Sequence, residues 1–321
     1  MIDHTLVRSY VKQGSLLLGA LALAMFSFAW VRVWVVSLLD MGQFQTILEQ
    51  FRDFEKFAPI SFDALFTYQG RVGMTYDEPI IILCTVIWCV ARGSDVVSGE
   101  VGRGTMEMLL SQPISRSKLL LSHAAVAVGG LAVLALMVWG GIAIGVSATT
   151  VDETVPPPAV EVPIFDWNIP LRFGEPVKES FPLAERVDAS VYAAATFNLF
   201  AFGFFLLGLS TMLSSWDRYR WRTVGLVMAV YVLQAVMFGL GKAAESLNWL
   251  VGMTFFNCYR PQKLSQLVSD GGATSPWSPM IVMEESWLAP LWYPMILIIL
   301  GSLFYGIAIR TFNRRDLPAP L

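Results

Sequence analysis

Long apolar runs alternate with polar connections along this chain, and the run lengths point to its architecture. The first run, Ser15 to Leu39, holds about 25 residues, enough to cross roughly 30 Å of hydrocarbon at about 1.5 Å per residue. Arg8 and Lys12 precede it, as in a secretory signal, but such signals are shorter and end in small residues. This run ends Val35-Val36-Ser37-Leu38-Leu39-Asp40, so it reads as an uncleaved span. Five further runs follow, and the six spans fall at about 15–39, 79–98, 119–146, 189–213, 223–241 and 291–309. The second opens on Pro79, which suits a first helical position. Its strictly apolar part stops at Ala91 and it continues past Arg92 and Asp95, where a long arginine can snorkel to headgroups. The predicted fold is an all-α integral membrane domain occupying residues 1–321, with both termini on one side because the number of spans is even.

The connections at 40–78, 147–188 and 242–290 are long and patterned. Phe44, Ile47, Leu48, Phe51 and Phe54 share one helical face, with Glu49, Gln50, Arg52, Asp53 and Lys56 away from it. That pattern fits a helix lying in the membrane interface and equally a short helix capping the bundle. The second connection carries Pro156, Pro157, Pro158, Pro163, Pro170, Pro176 and Pro182, which exclude a long helix. Val160, Val162 and Ile164 alternate there and suggest a short strand within a small cap. In the third, Leu247 to Phe256 is apolar but too short to span, so a re-entrant or interfacial helix is expected.

Composition agrees with this reading. The chain is 55% hydrophobic and only 15% charged, with a mean hydropathy of +0.58, outside the soluble globular range. Eleven tryptophans fit anchoring at headgroup level. The net charge of −3 gives no reason to invoke nucleic acid, but the distribution of charge orients the spans. Twelve basic residues sit on roughly 60 residues of short segments, including Arg92, Arg103, Arg116, Lys118, Arg218, Arg220 and Arg222. Nine sit on roughly 130 residues of the long connections, which are rich in acids. The short, basic side is therefore read as cytoplasmic. Three cysteines rule out a disulfide framework and read as packing thiols, and His4 and His123 are too few and too far apart for a metal site.

No Asp or Glu is read inside the membrane spans, so no internal ion relay is expected and the energy for any transport comes from elsewhere. Arg32 is the one strong charge recognised within a span, and it either snorkels, pairs or lines a path. Asn198 and Gln234 read as interhelical hydrogen-bond partners or substrate contacts. A phosphate-binding G-x-x-x-x-G-K-[ST] motif is absent; the nearest match, Gly239 to Lys242, lacks the spacing and the hydroxyl. Neither a histidine-based triad nor an H-E-x-x-H motif is present, and no catalytic or metal-binding residue is assigned.

The polar, glycine-rich stretch from Gly93 to His123 lies between two spans and carries the most specific signal. Within it, Glu100, Gly104 and Thr105 form an E-x-x-x-G-T pattern, followed by Leu109 and Leu110 and then by Ser111, Pro113, Ser115 and Arg116 as S-x-P-x-S-R. This order resembles the membrane subunits of type-two ABC transporters, the exporter-like permeases. Phe312 to Leu317, a basic F-x-R-R-D-L tail, and the six-span layout look like the same family. The match departs at Val101 and Gly102, where charged residues are common, and at His123, where Lys or Arg is frequent. From the residues alone, Glu100 to Leu110 forms a short helix along the cytoplasmic surface, capped by Thr105, with Met106, Leu109 and Leu110 turned to an apolar groove. Pro113 stops it and Ser115 caps the third span.

The resemblance implies that this elbow is a coupling helix docking on an ATPase subunit, with Glu100, Gly104, Thr105, Met106, Leu109, Leu110, Pro113, Ser115 and Arg116 at the joint. Arg218 and Arg220 are candidate secondary contacts, or serve headgroups and topology. It further implies a permease subunit in the inner membrane with cytoplasmic termini, paired with a second copy or a paralogue. ATP and Mg would be bound by the partner ATPase, and an extracytoplasmic protein is a possible further partner. Gly141 and Gly145 in the third span, and Gly301 and Gly306 in the sixth, allow close helix approach within the bundle or between subunits. The alternative function is a membrane scaffold that binds a cytoplasmic protein through residues 93–123 and transports nothing. A membrane enzyme is the third, disfavoured by the poverty in histidine and membrane carboxylates.

Overall fold

The computed structural model describes residues 4–38, 67–112, 114–155, 159–162, 167–170, 177–272, 274–280 and 288–315. The amphipathic stretch from Phe44 to Lys56, together with Pro156, Pro157, Pro158, Pro163, Ile164, Pro176 and Pro113, lies outside the described residues. The principal helices are α1 (His4–Ser37), α2 (Tyr68–Gly102), α3 (Met106–Leu110), α4 (Arg116–Ala148), α5 (Ala193–Trp216), α6 (Arg220–Ala243), α7 (Pro261–Gly271) and α8 (Trp292–Arg314). Among the described residues, α1, α2, α4, α5 with its lead-in from Ala189, α6 and α8 are long and apolar enough to cross a membrane. The chain is an all-α integral membrane protein with six such helices.

Helix α1 has 34 residues and α4 has 33, so each is about 50 Å long and outreaches the hydrocarbon. They pack along one another, and small residues set their separation. A Cβ on Gly141 would lie 2.5 Å from the Phe26 carbonyl oxygen, and one on Gly145 would lie 2.9 Å from the Val33 side chain. This glycine pair therefore serves contact within the chain. The axis of the bundle is α5, packed against α8, α2 and α4. In the most apolar window of α5 and of α2, 72% of residues are buried, against 11% for α6, which stands at the periphery. Helices α5 and α8 meet backbone to backbone: a Cβ on Gly208 would sit 2.5 Å from the Gly301 carbonyl oxygen.

Helix α2 is composite. It starts at Tyr68, passes through a 3-10 turn at Met74–Asp77, restarts with Pro79 at its first position, and then widens into a π turn at Asp95–Gly99. Trp88 is fully buried and its indole donates to the Ala127 carbonyl of α4 at 2.9 Å, which satisfies its one polar atom. The expectation of spans without acids does not hold here. Asp95 lies inside the predicted span and is tolerated there because Arg103 and Arg220 pair with it, while Asp77, Glu78 and Glu100 belong to the ends and turns of the same helix. Arg32 of α1 pairs with Glu78 at 2.9 Å, which resolves its role as pairing.

The connections at the end opposite the elbow carry short elements. Strands β1 (Thr150–Val155) and β4 (Val177–Pro182) pair antiparallel, and β2 (Ala159–Val162) pairs with β3 (Trp167–Pro170). The single helix expected over Leu247–Phe256 is instead a series of turns: Glu245–Leu247, Trp249–Gly252 and Phe255–Cys258. The last of these pushes Phe255 and Phe256 against Phe202, Phe205 and Tyr231, so the connection re-enters the bundle by its side chains. Asn198 of α5 holds it there. Its amide donates to the Cys258 carbonyl at 3.0 Å and accepts from the Arg260 backbone N–H at 2.8 Å. Gln234 of α6 likewise accepts from the Phe255 N–H at 3.2 Å.

Candidate functional site

The polar stretch between α2 and α4 folds as an elbow, and its sequence pattern has a local geometric meaning. Helix α2 ends at Gly102, and Gly104 takes a left-handed φ of +74°. The Thr105 N–H donates to the Glu100 carbonyl at 3.1 Å and the Gly104 N–H to the Val101 carbonyl at 3.1 Å. These two bonds make a Schellman cap, which satisfies carbonyls that a helix end would otherwise leave open. The E-x-x-x-G-T pattern is thus a helix stop. Its glycine occupies the one position where a side chain is strained, and its threonine hydroxyl bonds back to the Glu100 carbonyl at 3.2 Å and to the Glu100 carboxylate.

The helix expected over Glu100–Leu110 is therefore broken at Arg103–Gly104. After the cap comes the short helix α3, with Thr105 at its N-terminus but with the threonine side chain turned to Glu100 rather than capping α3. Met106 is buried within the chain, Leu109 and Leu110 are half-buried, and Glu107, Met108, Ser111 and Gln112 face outward. Met108 is 71% exposed, a large apolar group left uncovered by this chain. Ser115 accepts from the Lys118 N–H and starts α4.

Below the cap, α2 is held by charges and hydroxyls. Asp95 and Glu100 are buried. Arg103 bridges them, at 2.7 Å to Asp95 and 2.8 Å to Glu100. Its hydrogen bond to Asp95 holds the Arg103 guanidinium above its ordinary range. Arg220, the first residue of α6, adds a second contact to Asp95 at 3.2 Å and donates to Ser94 Oγ and the Ala91 carbonyl. The π turn disturbs the helical ladder, and α5 supplies the missing acceptor: Ser214 Oγ accepts from the Val97 N–H at 3.3 Å and the Ser98 N–H at 3.0 Å. Thr223 of α6 donates to Ser98 Oγ at 3.1 Å. Two helices, α5 and α6, thus converge on one turn of α2.

Arg116 lies elsewhere. It donates to the Phe312 and Arg315 carbonyls, at 2.9 and 2.5 Å, and so ties the start of α4 to the last turn of α8. Arg315 in turn donates to the Ser215 and Asp217 carbonyls at the C-terminal end of α5. Arg222 pairs with Asp217 at 3.5 Å. His123 is buried on α4, edge-on to Tyr10 at 5.0 Å.

The elbow therefore brings together Glu100, Gly104, Thr105 and Met106 with Arg220, and places Arg116 at a separate clamp. Asp95, Arg103, Ser214 and Thr223 are structural partners that sequence reasoning did not single out. The available signal was an acid beside the apolar run of α2, which demands a partner. A family model for ABC-2 family transporter proteins matches residues 7–317. The chain belongs to this family. It is thus a multi-pass membrane subunit, the permease of an ABC transporter, and its family implies an ABC ATPase as partner. No curated protein matches the permease.

Proposed function

We propose that this permease couples ATP hydrolysis by a separate ATPase subunit to export of a substrate, or to a related membrane process, with the α2–α3 elbow as the docking joint. The observation that carries this reading is the build of the elbow. An outward face of Glu107, Met108, Ser111 and Gln112 is mounted, through the Schellman cap and the Asp95–Arg103–Glu100 bridge, on the most buried helices of the bundle. A push on such a face reaches α2, α5 and α6 together, which suits rigid-body transmission. In this reading Glu100, Gly104 and Thr105 set the angle of the elbow, while α3, with Leu109 and Leu110 at its margin, supplies the contact. Arg116 positions α4 against α8, and Arg220 braces the π turn.

The elbow and both termini then lie on the cytoplasmic side of the inner membrane, in line with the density of basic residues there. A second permease copy or a paralogue completes the transport path, and ATP and Mg are held by the ATPase. The capping strands and the re-entrant turns face the extracytoplasmic side, where another protein could be met.

The test is co-purification of the tagged chain from native membranes in mild detergent, followed by an ATPase assay. A stoichiometric ATPase that is lost with Met108→Asp, while the chain still elutes as folded protein, supports the reading. A chain that carries no nucleotide-binding partner under conditions preserving other such complexes sinks it in favour of the non-transporting scaffold. Cysteines introduced at Gln112 and at Pro157 should label from opposite faces of the membrane; labelling from one face would overturn the orientation.

A further inference from the structure

Beside the elbow, α1, α2 and the start of α6 enclose a cleft of about 370 Å³ lined by Gln13, Gly14, Arg92, Asp95, Arg103 and Arg220. Three guanidinium groups face two carboxylates here, Asp95 and the adjoining Glu100, which leaves one positive charge uncompensated. Arg92 is only 5% exposed. One of its Nη atoms donates to the Tyr10 carbonyl at 3.4 Å, and its Nε has no hydrogen-bond partner. A buried cationic donor left open at the wall of a cleft favours an anionic acceptor.

The cleft does not end in polar surroundings. Ala91 and Arg220 also line a neighbouring apolar groove of about 700 Å³ between α2 and α6, walled by Leu83, Ile87, Val90 and Val224. From Leu83 to Ala91 it follows about 12 Å of α2. Its rim is open: Leu83 is 54% exposed and Trp221 is 74% exposed. Trp216, Tyr219 and Trp221 crowd the same end of α5 and α6 with their rings uncovered, the arrangement that aromatic side chains take at headgroup depth. A basic cleft with room for a phosphodiester headgroup thus continues, at that depth, into an apolar trough on the membrane side.

We propose that an anionic phospholipid binds here, its phosphodiester against Arg92, Arg103 and Arg220 and one acyl chain in the α2–α6 groove. The assignment to the cytoplasmic leaflet rests on the orientation given above. Basic pockets between membrane helices on the cytoplasmic side are suited to such headgroups. The lipid would complete the charge balance around Asp95 and fill the trough next to the π turn, so its presence would stiffen the base of the elbow.

The experiment is thermal unfolding of the full purified chain in mild detergent, titrated in parallel with phosphatidylglycerol, phosphatidylcholine of the same acyl chains, and inorganic phosphate. Phosphatidylglycerol should raise the midpoint saturably, at concentrations where the other two do not. Arg92→Gln should weaken that effect about tenfold to a hundredfold, the range for loss of a charge-assisted contact. Val224→Trp, which fills the groove, should weaken it as well, and decides the matter if the Arg92 variant does not fold. Equal stabilisation by phosphatidylcholine, an effect of inorganic phosphate matching that of the lipid, or unchanged phosphatidylglycerol affinity in both variants would overturn the site. So would efficient cross-linking between two copies through a cysteine at Leu83, which would make the groove a contact between permeases. A cysteine at Gln13 that labels only from outside would reverse the orientation and move the lipid to the other leaflet, leaving the titrations unchanged.

Discussion

Gly104 offers the most direct test of how the elbow is made. Its φ of +74° lies in the left-handed region, and a Cβ built there meets no atom within 4 Å. Contact with neighbours therefore adds nothing to the cost of substitution, and the whole effect comes from the backbone. For an L-residue with a side chain this costs about 1–2 kcal/mol. Part is offset because alanine also restricts the unfolded chain, by about 0.4–1 kcal/mol. The net for Gly104→Ala is therefore about 1 kcal/mol, for Gly104→Val more, and for Gly104→Asn close to zero, since asparagine tolerates this region. The reporter is amide hydrogen exchange in peptides covering residues 99–111, because the Thr105 and Gly104 N–H groups are the two donors of the cap. Local opening should rise about fivefold with alanine, further with valine, and hardly at all with asparagine. Co-purification of the ATPase should fall in the same order. If alanine and valine exchange at the wild-type rate, the cap is not what fixes the elbow, and the geometric account of the E-x-x-x-G-T pattern fails.

Three further outcomes are expected. Ser214→Ala removes the acceptor for two buried N–H groups of the π turn and should destabilise the chain by about 1–3 kcal/mol, read as a lower unfolding midpoint in detergent, whereas Ser147→Ala on the exposed end of α4 should leave it unchanged. Gly208→Val drives a side chain into the Gly301 backbone and should part α5 from α8; a cysteine pair placed across that contact should lose its cross-linking, and retained cross-linking would refute the close approach. Cys84, Cys89 and Cys258 are all buried, and burial pushes the Cys258 thiol up to about 11 against the opposing pull of Arg260. At neutral pH none should react with maleimide in the folded chain, and all three should react after denaturation in SDS.

Five of the six membrane helices are legible in the sequence because each contains an apolar run matched to bilayer thickness, and the second is legible only by continuing its apolar part, Pro79 to Ala91, past Arg92 and Asp95. The E-x-x-x-G-T pattern is legible as a motif, but its role as a helix stop depends on the sign of one dihedral angle. Composition does not record that sign. Interruptions within helices are harder to read. The π turn at Asp95–Gly99 depends on Ser214, more than a hundred residues away in the chain, and no local pattern announces such a partner. The same holds for Arg116, whose acceptors on α8 are backbone carbonyls and leave no trace in residue identity. Leu247 to Phe256 is misleading as a helix because its apolar residues serve separate turns, with Asn248 and Thr254 breaking the run. Met106 is misleading in a different way: its apolar side chain is satisfied at home, and Met108 is the one left over.

The π turn also has a bearing on insertions and deletions. A π turn is an α-helix carrying one residue too many, and each residue of an α-helix accounts for about 100° of rotation. Everything after Gly99, including Arg103 and the cap, is therefore out of phase with the apolar face of α2 by that single step. Deleting one residue from Asp95–Gly99 would let the ladder close and free Ser214 of its task. It would also swing the outward face of α3 about a quarter turn around the axis of α2. A family member that lacked this residue could keep every motif letter and still present a different surface to its ATPase. Permease and ATPase pairs would then be sorted by helical phase rather than by the identity of the side chains at the joint.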